Sequence, residues 1–174
     1  MTTIYFVRHG QSEANVADCI NDDPKRIVKL TSTGRQQCTS VADQLRTVPL
    51  TRAFASEFHR AQESLGIILE HRPDVTRHID PRLNEWQTGM DGAPIDYFHR
   101  QMEHGFAPPE DFDDVVIRME NFLNDVKRNA DAGDLLVVSH KITILAGLVA
   151  IGSLPFEGAK RYTVDNAQVI AIPL

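Results

Sequence analysis

Two uninterrupted apolar runs, Ile4-Tyr5-Phe6-Val7 and Leu135-Leu136-Val137-Val138, constrain this 174-residue chain more than anything else in it. A strand with one wet face alternates apolar and polar residues. A strand apolar at every position is covered on both faces, as in a parallel sheet lying between helices. Both runs stop at a histidine: the first in Arg8-His9-Gly10, the second in Ser139-His140. Gly10 permits a sharp turn that a side chain would resist. Arg8 offers a rigid donor fork suited to phosphate oxygens. His9 offers a ring nitrogen that is neutral and nucleophilic near pH 7.

The stretch between the runs alternates in the same way. Thr31 is the expected N-cap of a helix whose apolar face is Cys38, Val41, Ala42 and Leu45, ended by Val48-Pro49. Ala53-Phe54-Ala55 reads as a short strand. Ser56 is the expected cap of the next helix, with Ala61, Leu65 and Ile68 on its buried side and Arg72-Pro73 closing it. Val75 to Ile79 is a further strand. From Asp80 to Pro109 glycines and prolines interrupt the pattern, which predicts a long ordered excursion with one short helix around Ile95 to Glu103. Asp111 to Asp131 is a helix, acidic at its start and basic at its end as the helix dipole prefers. Ile142 to Ile151 is another, and Val164 to Ile172 is a last strand, placed at an edge by Pro173. Together these predict a single domain over 1–174: an α/β fold, a three-layer α/β/α sandwich around a mainly parallel sheet.

Composition limits the partners. A net charge of −6 argues against nucleic acid. No apolar run approaches the roughly 20 residues of a membrane span. Cys19 and Cys38 form no Cys-x-x-Cys pair, and the N-terminus runs straight into a strand. These features predict a cytoplasmic location, no signal peptide and no structural zinc. His59, His71, His78, His99 and His104 show no metal-ligand spacing, so no metal and no cofactor are expected.

In open α/β sheets, ligands bind at the carboxyl ends of the strands. Four expected strand ends here carry chemistry: Arg8 and His9 after the first, Arg60 one turn into the helix after the second, Glu85 after the third, and His140 after the late one. The loop from Asp18 to Lys29 lies just downstream of His9 and is placed to shape substrate choice.

Arg8-His9-Gly10, Leu30-Thr31-x-x-Gly34, Ser56-x-x-x-Arg60-Ala61, Leu83-Asn84-Glu85 and Val137-Val138-Ser139-His140, in this order along nearly the whole chain, resemble the histidine phosphatase (phosphoglycerate mutase-like) family, branch 1. The resemblance implies that His9 is the nucleophile that becomes phosphohistidine and that Glu85 protonates the leaving oxygen. It further implies that Arg8, Arg60 and His140 form the phosphate pocket, with His140 also counted among the catalytic groups, and that Asn15 is a polar phosphate ligand. Phosphoryl transfer needs positioning and neutralisation of the phosphate oxygens, and two guanidiniums with a second imidazole supply that without a metal. The sequence departs from the family pattern at Lys141, where glycine is usual, and at Glu57 and His59.

The expected activity is therefore metal-independent hydrolysis of a phosphomonoester. The alternatives are mutase-type retransfer and a weakly catalytic phospho-ligand binding member. The cover from Trp86 to Pro109 is irregular, and a cover that admits water favours hydrolysis. The expected partner is a small phosphorylated molecule. Sugar phosphates, phosphoglycerates, nucleotide-derived phosphates and phosphohistidine proteins are all open at this level, and oligomeric state is not legible.

Overall fold

In the computed structural model, which describes residues 2–128, 133–159 and 161–174, the two apolar runs lie side by side as parallel strands. They are β1 (Thr3–Arg8) and β4 (Asp134–Ser139). With β2 (Leu50–Ala55), β3 (Thr76–Ile79) and β5 (Val169–Pro173) they form a five-stranded sheet of order β3-β2-β4-β1-β5. The first four strands are parallel, and β5 pairs antiparallel with β1 at the edge.

The helices are α1 (Glu13–Val16), α2 (Ser32–Gln44), α3 (His59–Ile68), α4 (Ile95–Glu103), α5 (Phe112–Arg128), α6 (Lys141–Ala150) and α7 (Phe156–Ala159). Successive strand residues point to opposite faces, so each run feeds two cores. Ile4, Phe6, Leu135 and Val137 pack with Met119 and Phe122 of α5 and Ile144 of α6. Val7, Leu136 and Val138 pack with Cys38 and Val41 of α2 and with Ala61 and Leu65 of α3. Two covered faces explain why the strands read as unbroken apolar runs. The architecture is the expected mainly parallel α/β sandwich.

Thr31 caps α2 as expected, its Oγ1 accepting from Gly34 N at 3.0 Å. Gly10 and Gly34 are both needed where the turn after β1 crosses the start of α2. A Cβ on Gly10 would meet the Gly34 carbonyl, and one on Gly34 would meet the Gln11 backbone.

Two expectations are corrected. Ser56 does not cap α3: the helix begins at His59 with Phe58 as its N-cap, and the Ser56 hydroxyl lies one turn too early, accepting from Phe58 N at 3.3 Å and from His140 Nε2 at 2.7 Å. The last strand starts at Val169, not Val164, because residues 165–168 turn, with Ala167 at φ 58°. The short helix Glu13–Val16, capped by Ser12, follows the turn after β1 without having been marked in the sequence. The expected end of the long helix, 129–131, lies outside the described residues. Among the described residues, no helix is long and apolar enough to cross a membrane.

Candidate active site

The parallel register pairs Arg8 with Ser139, and His9 N donates to the Ser139 carbonyl at 3.0 Å. The residues that follow, His9 and His140, must therefore leave the sheet as neighbours. Their ring centroids stand 5.2 Å apart, edge to face. Arg60, the second residue of α3, reaches both rings. Its Nε donates to His9 Nε2 at 3.0 Å, and its Nη2 lies 3.0 Å from His140 Nδ1. Its guanidinium also rests on the Phe58 ring, 4.4 Å from the centroid.

These contacts assign the tautomers. A guanidinium only donates, so His9 Nε2 and His140 Nδ1 both carry lone pairs. The proton of His9 is then on Nδ1, which donates to the Gly10 carbonyl at 2.7 Å. The proton of His140 is on Nε2, which donates to Ser56 Oγ at 2.7 Å.

His9 is 3% exposed, Arg60 5% and His140 0%. Burial, then Arg60 and Arg8, push the His9 pKa well below the ordinary imidazole range. Burial, then Arg60 and His9, do the same to His140. Both rings are thus held neutral near pH 7. Burial also lowers Arg60 to about 10, with Glu85 acting in the opposite direction, and Arg60 stays a cation at neutral pH. Arg8 is lowered by burial, opposed by Glu85 and Asp165. Its Nη1 donates to the Val164 carbonyl at 2.7 Å, while its buried Nε has no partner among the described residues.

Arg8, His9, Asn15, Arg60 and Glu85 line one pocket of about 250 Å³. His140 does not line it; it sits behind His9 and Arg60. Asn15 Oδ1 accepts from the Ser12 amide and hydroxyl, both at 3.0 Å, and from Asn166 Nδ2 at 3.2 Å. Those donors saturate the carbonyl and orient the carboxamide, on which Nδ2 is the group left to donate. Glu85 Oε1 accepts from Trp86 N at 3.0 Å and lies 3.4 Å from the Thr143 hydroxyl. Two guanidiniums against one carboxylate, around neutral imidazoles, make the floor of this pocket an anion site. Among the described residues, no group of three or more His, Cys, Asp or Glu side chains is placed to hold a metal ion.

Sequence reasoning missed Asn21 and Ser56. Asn21 accepts from Arg60 Nη1 through Oδ1 and from Nη2 through its backbone carbonyl at 3.2 Å. It also ties Arg60 to the cover, since its Nδ2 donates to Asp91 Oδ1 at 3.1 Å. The loop around Asn21 and the segment after Trp86 are joined throughout. Asp22 Oδ2 accepts from Thr88 N, Thr88 Oγ1 and Gly89 N at 2.6–2.8 Å, and Ile20 exchanges backbone bonds with Gly92 and Ala93. Burial pushes the Asp91 carboxyl up, but bonds from Asn21, Arg26 and the Asp22 and Asp23 amides outweigh it and hold the carboxyl low. The irregular cover expected from its glycines is thus a tied one. No periodicity or turn signal marks Asn21; only its place in the polar loop after His9 did.

The chain is 28% identical to the adenosylcobalamin/alpha-ribazole phosphatase of Salmonella typhimurium, over 98% of this chain and 90% of that one. It is also 28% identical to a probable phosphoglycerate mutase, GpmB, of an Enterobacter species, over 99% and 85%. Among solved structures, Bacillus stearothermophilus YhfR superposes with a TM-score of 0.86 at 25% identity, covering 100% of this chain and 92% of that one. The sequence profile of the histidine phosphatase superfamily (branch 1) matches residues 4–174. From the arginine–histidine turn after β1 to the edge strand β5, the chain belongs to the histidine phosphatase superfamily, branch 1.

Proposed function

We propose that this protein is a metal-independent phosphatase that hydrolyses a small phosphomonoester through a phosphohistidine on His9. The observation that carries the reading is the state of His9: a neutral ring, its Nδ1 proton fixed on Gly10, its Nε2 lone pair on the floor of a cationic pocket. A ring held this way is a nucleophile without needing a base to activate it. The phosphatase name of the Salmonella relative supports the same reading.

In this mechanism the phosphomonoester enters over Arg8 and Arg60 as its monoanion and passes its proton to the Glu85 carboxylate, to be carried off again by the departing inorganic phosphate. Arg8 Nε, without a partner among the described residues, takes one oxygen. Arg60 turns its Nε from the His9 lone pair to the phosphate, which frees His9 Nε2. Asn15 Nδ2 binds a further oxygen. His140 stays neutral behind the pocket, its Nε2 proton held on Ser56 Oγ and its Nδ1 lone pair helping to steer the Arg60 guanidinium. Nε2 of His9 attacks phosphorus, the P–O bond to the alcohol breaks, and Glu85 gives a proton to the departing oxygen. Water, deprotonated by the Glu85 carboxylate, then attacks phosphorus. The N–P bond breaks, and inorganic phosphate leaves with His9 and Glu85 restored.

Mutase-type retransfer is the second reading. The tied cover favours it, because a closed cover keeps a phosphoenzyme dry. Assay with a panel of phosphomonoesters after exhaustive chelation decides. Phosphate release without added metal supports the proposal. Release only after Mg²⁺ or Zn²⁺ is restored contradicts it, and interconversion of phosphoglycerates faster than phosphate release promotes the mutase reading.

A further inference from the structure

Beside the anion pocket lies a second hollow of about 180 Å³, lined among the described residues by Trp86, Phe112, Ile142, Leu145 and Ala159. Trp86 and Ile142 line both hollows, so the two adjoin. The second one has almost no polar wall. An apolar hollow of this kind forfeits contacts for the atoms around it, holds water poorly and gains from an apolar guest. Its walls are held in place. The Trp86 indole Nε1 donates to the Glu110 carbonyl at 2.5 Å, and its ring meets Phe98 edge to face at 5.5 Å. Phe112 is braced edge to face by Phe156 at 5.3 Å.

The chain direction links the hollow to the chemistry. Glu85, placed at the leaving oxygen in the mechanism above, is followed at once by Trp86, the wall common to both spaces. An alcohol whose oxygen lies at Glu85 is therefore led along Trp86. We propose that the second hollow is a subsite for an uncharged apolar group, aryl or alkyl, carried by the alcohol of the substrate. This inference rests on the phosphomonoesterase reading and gives its substrate a chemical class: a phosphate ester with an apolar body rather than a small polyanion. Lys141, which lines the first pocket, is the feature that would instead favour a second anionic group.

Phosphonates test this without turnover, because their C–P bond is not hydrolysed. The purified protein is titrated calorimetrically with ethylphosphonate, 3-phenylpropylphosphonate and 3-phosphonopropionate. The phenylpropyl compound should bind at least about tenfold more tightly than the ethyl one, the range that a few methylenes in an apolar pocket supply. Trp86 is the chain's one tryptophan, so its emission locates the guest. The phenylpropyl compound should shift that emission and the ethyl compound should leave it in place. Ala159→Leu, which fills the hollow, should bring the affinity ratio of these two ligands toward one. Equal affinities, no binding of any of the three, binding without a change in Trp86 emission, or tightest binding of 3-phosphonopropionate would each overturn the subsite. Phosphate release from 3-phenylpropyl phosphate, whose body fills the hollow, is measured separately. Its absence alongside a preserved phenylpropyl preference would count against the hydrolytic reading and leave the subsite standing.

Discussion

Arg60 Nε stands 3.0 Å from His9 Nε2, on the lone pair proposed to attack phosphorus. At rest, the strongest donor in the pocket masks the nucleophile. The same guanidinium reaches His140 and Asn21, so one side chain joins both imidazoles to the loop that closes the site. The arriving phosphate competes for these donors, which couples substrate binding to release of the nucleophile.

Arg60→Lys tests that coupling. Lysine keeps the charge but has no planar fork, so it cannot serve two imidazoles and Asn21 together. Turnover should fall by at least about a hundredfold, the scale for loss of a preorganised donor to developing charge. A loss of less than about threefold would show that charge alone is used.

Asn21→Ala removes the side-chain acceptor for Arg60 Nη1 and the donor to Asp91, and keeps only the backbone carbonyl that serves Nη2. The fold should persist, because Asn21 belongs to neither apolar core. The value of kcat/KM should fall about 10- to 100-fold through misplacement of Arg60. Unchanged kcat/KM with an intact far-ultraviolet spectrum would remove Asn21 from the positioning role.

The buried neutral imidazoles set an acid limit on stability. Folded His9 and His140 have pKa values well below that of a free imidazole, so the unfolded chain takes up protons first as pH falls. Their contribution is fully present above the unfolded pKa of about 6.5 and is lost as pH drops from there toward the folded values. Urea unfolding should show stability falling below about pH 6.5 by up to about 1.4 kcal/mol per pH unit for each ring. His140→Gln should shallow that slope. A mutant slope equal to that of the parent would contradict the assignment of a buried neutral His140.

Much of this was legible from residue order. Runs apolar at every position announced two-sided burial, and a parallel sheet then forces the residues after paired strands together. That is how Arg8, His9 and His140 were found. Thr31 was legible because capping is local. Ser56 was misread for the same reason: a serine before a helix looks like a cap, and only the tertiary fold brings His140 Nε2 to its hydroxyl. Val164 was read as strand because it is β-branched and apolar, but its carbonyl serves Arg8 across 156 residues of sequence. Asn21 was illegible because a polar residue in a polar loop carries no periodic signal. Its role comes from a contact with Arg60 39 residues away.

Glu85→Gln keeps shape and removes the transferable proton. Hydrolysis of alkyl phosphates, whose alkoxides are poor leaving groups, should slow about 10²–10⁴-fold. Aryl phosphates should slow far less in the step that breaks the P–O bond, because a phenolate departs with little help. Equal losses in that step for both classes would take Glu85 out of the acid role.

Every step of this chemistry passes through a covalent phosphohistidine. The protein is mixed for milliseconds with a ³²P-labelled phosphomonoester, quenched in base and digested, and the labelled peptide is sequenced. Label should appear on His9, stable in base and lost in acid as a phosphoramidate is, and not in His9→Ala, which should also lack turnover. Label on Ser12 or His140, or no label in a protein that is turning over substrate, would contradict a phosphohistidine on His9.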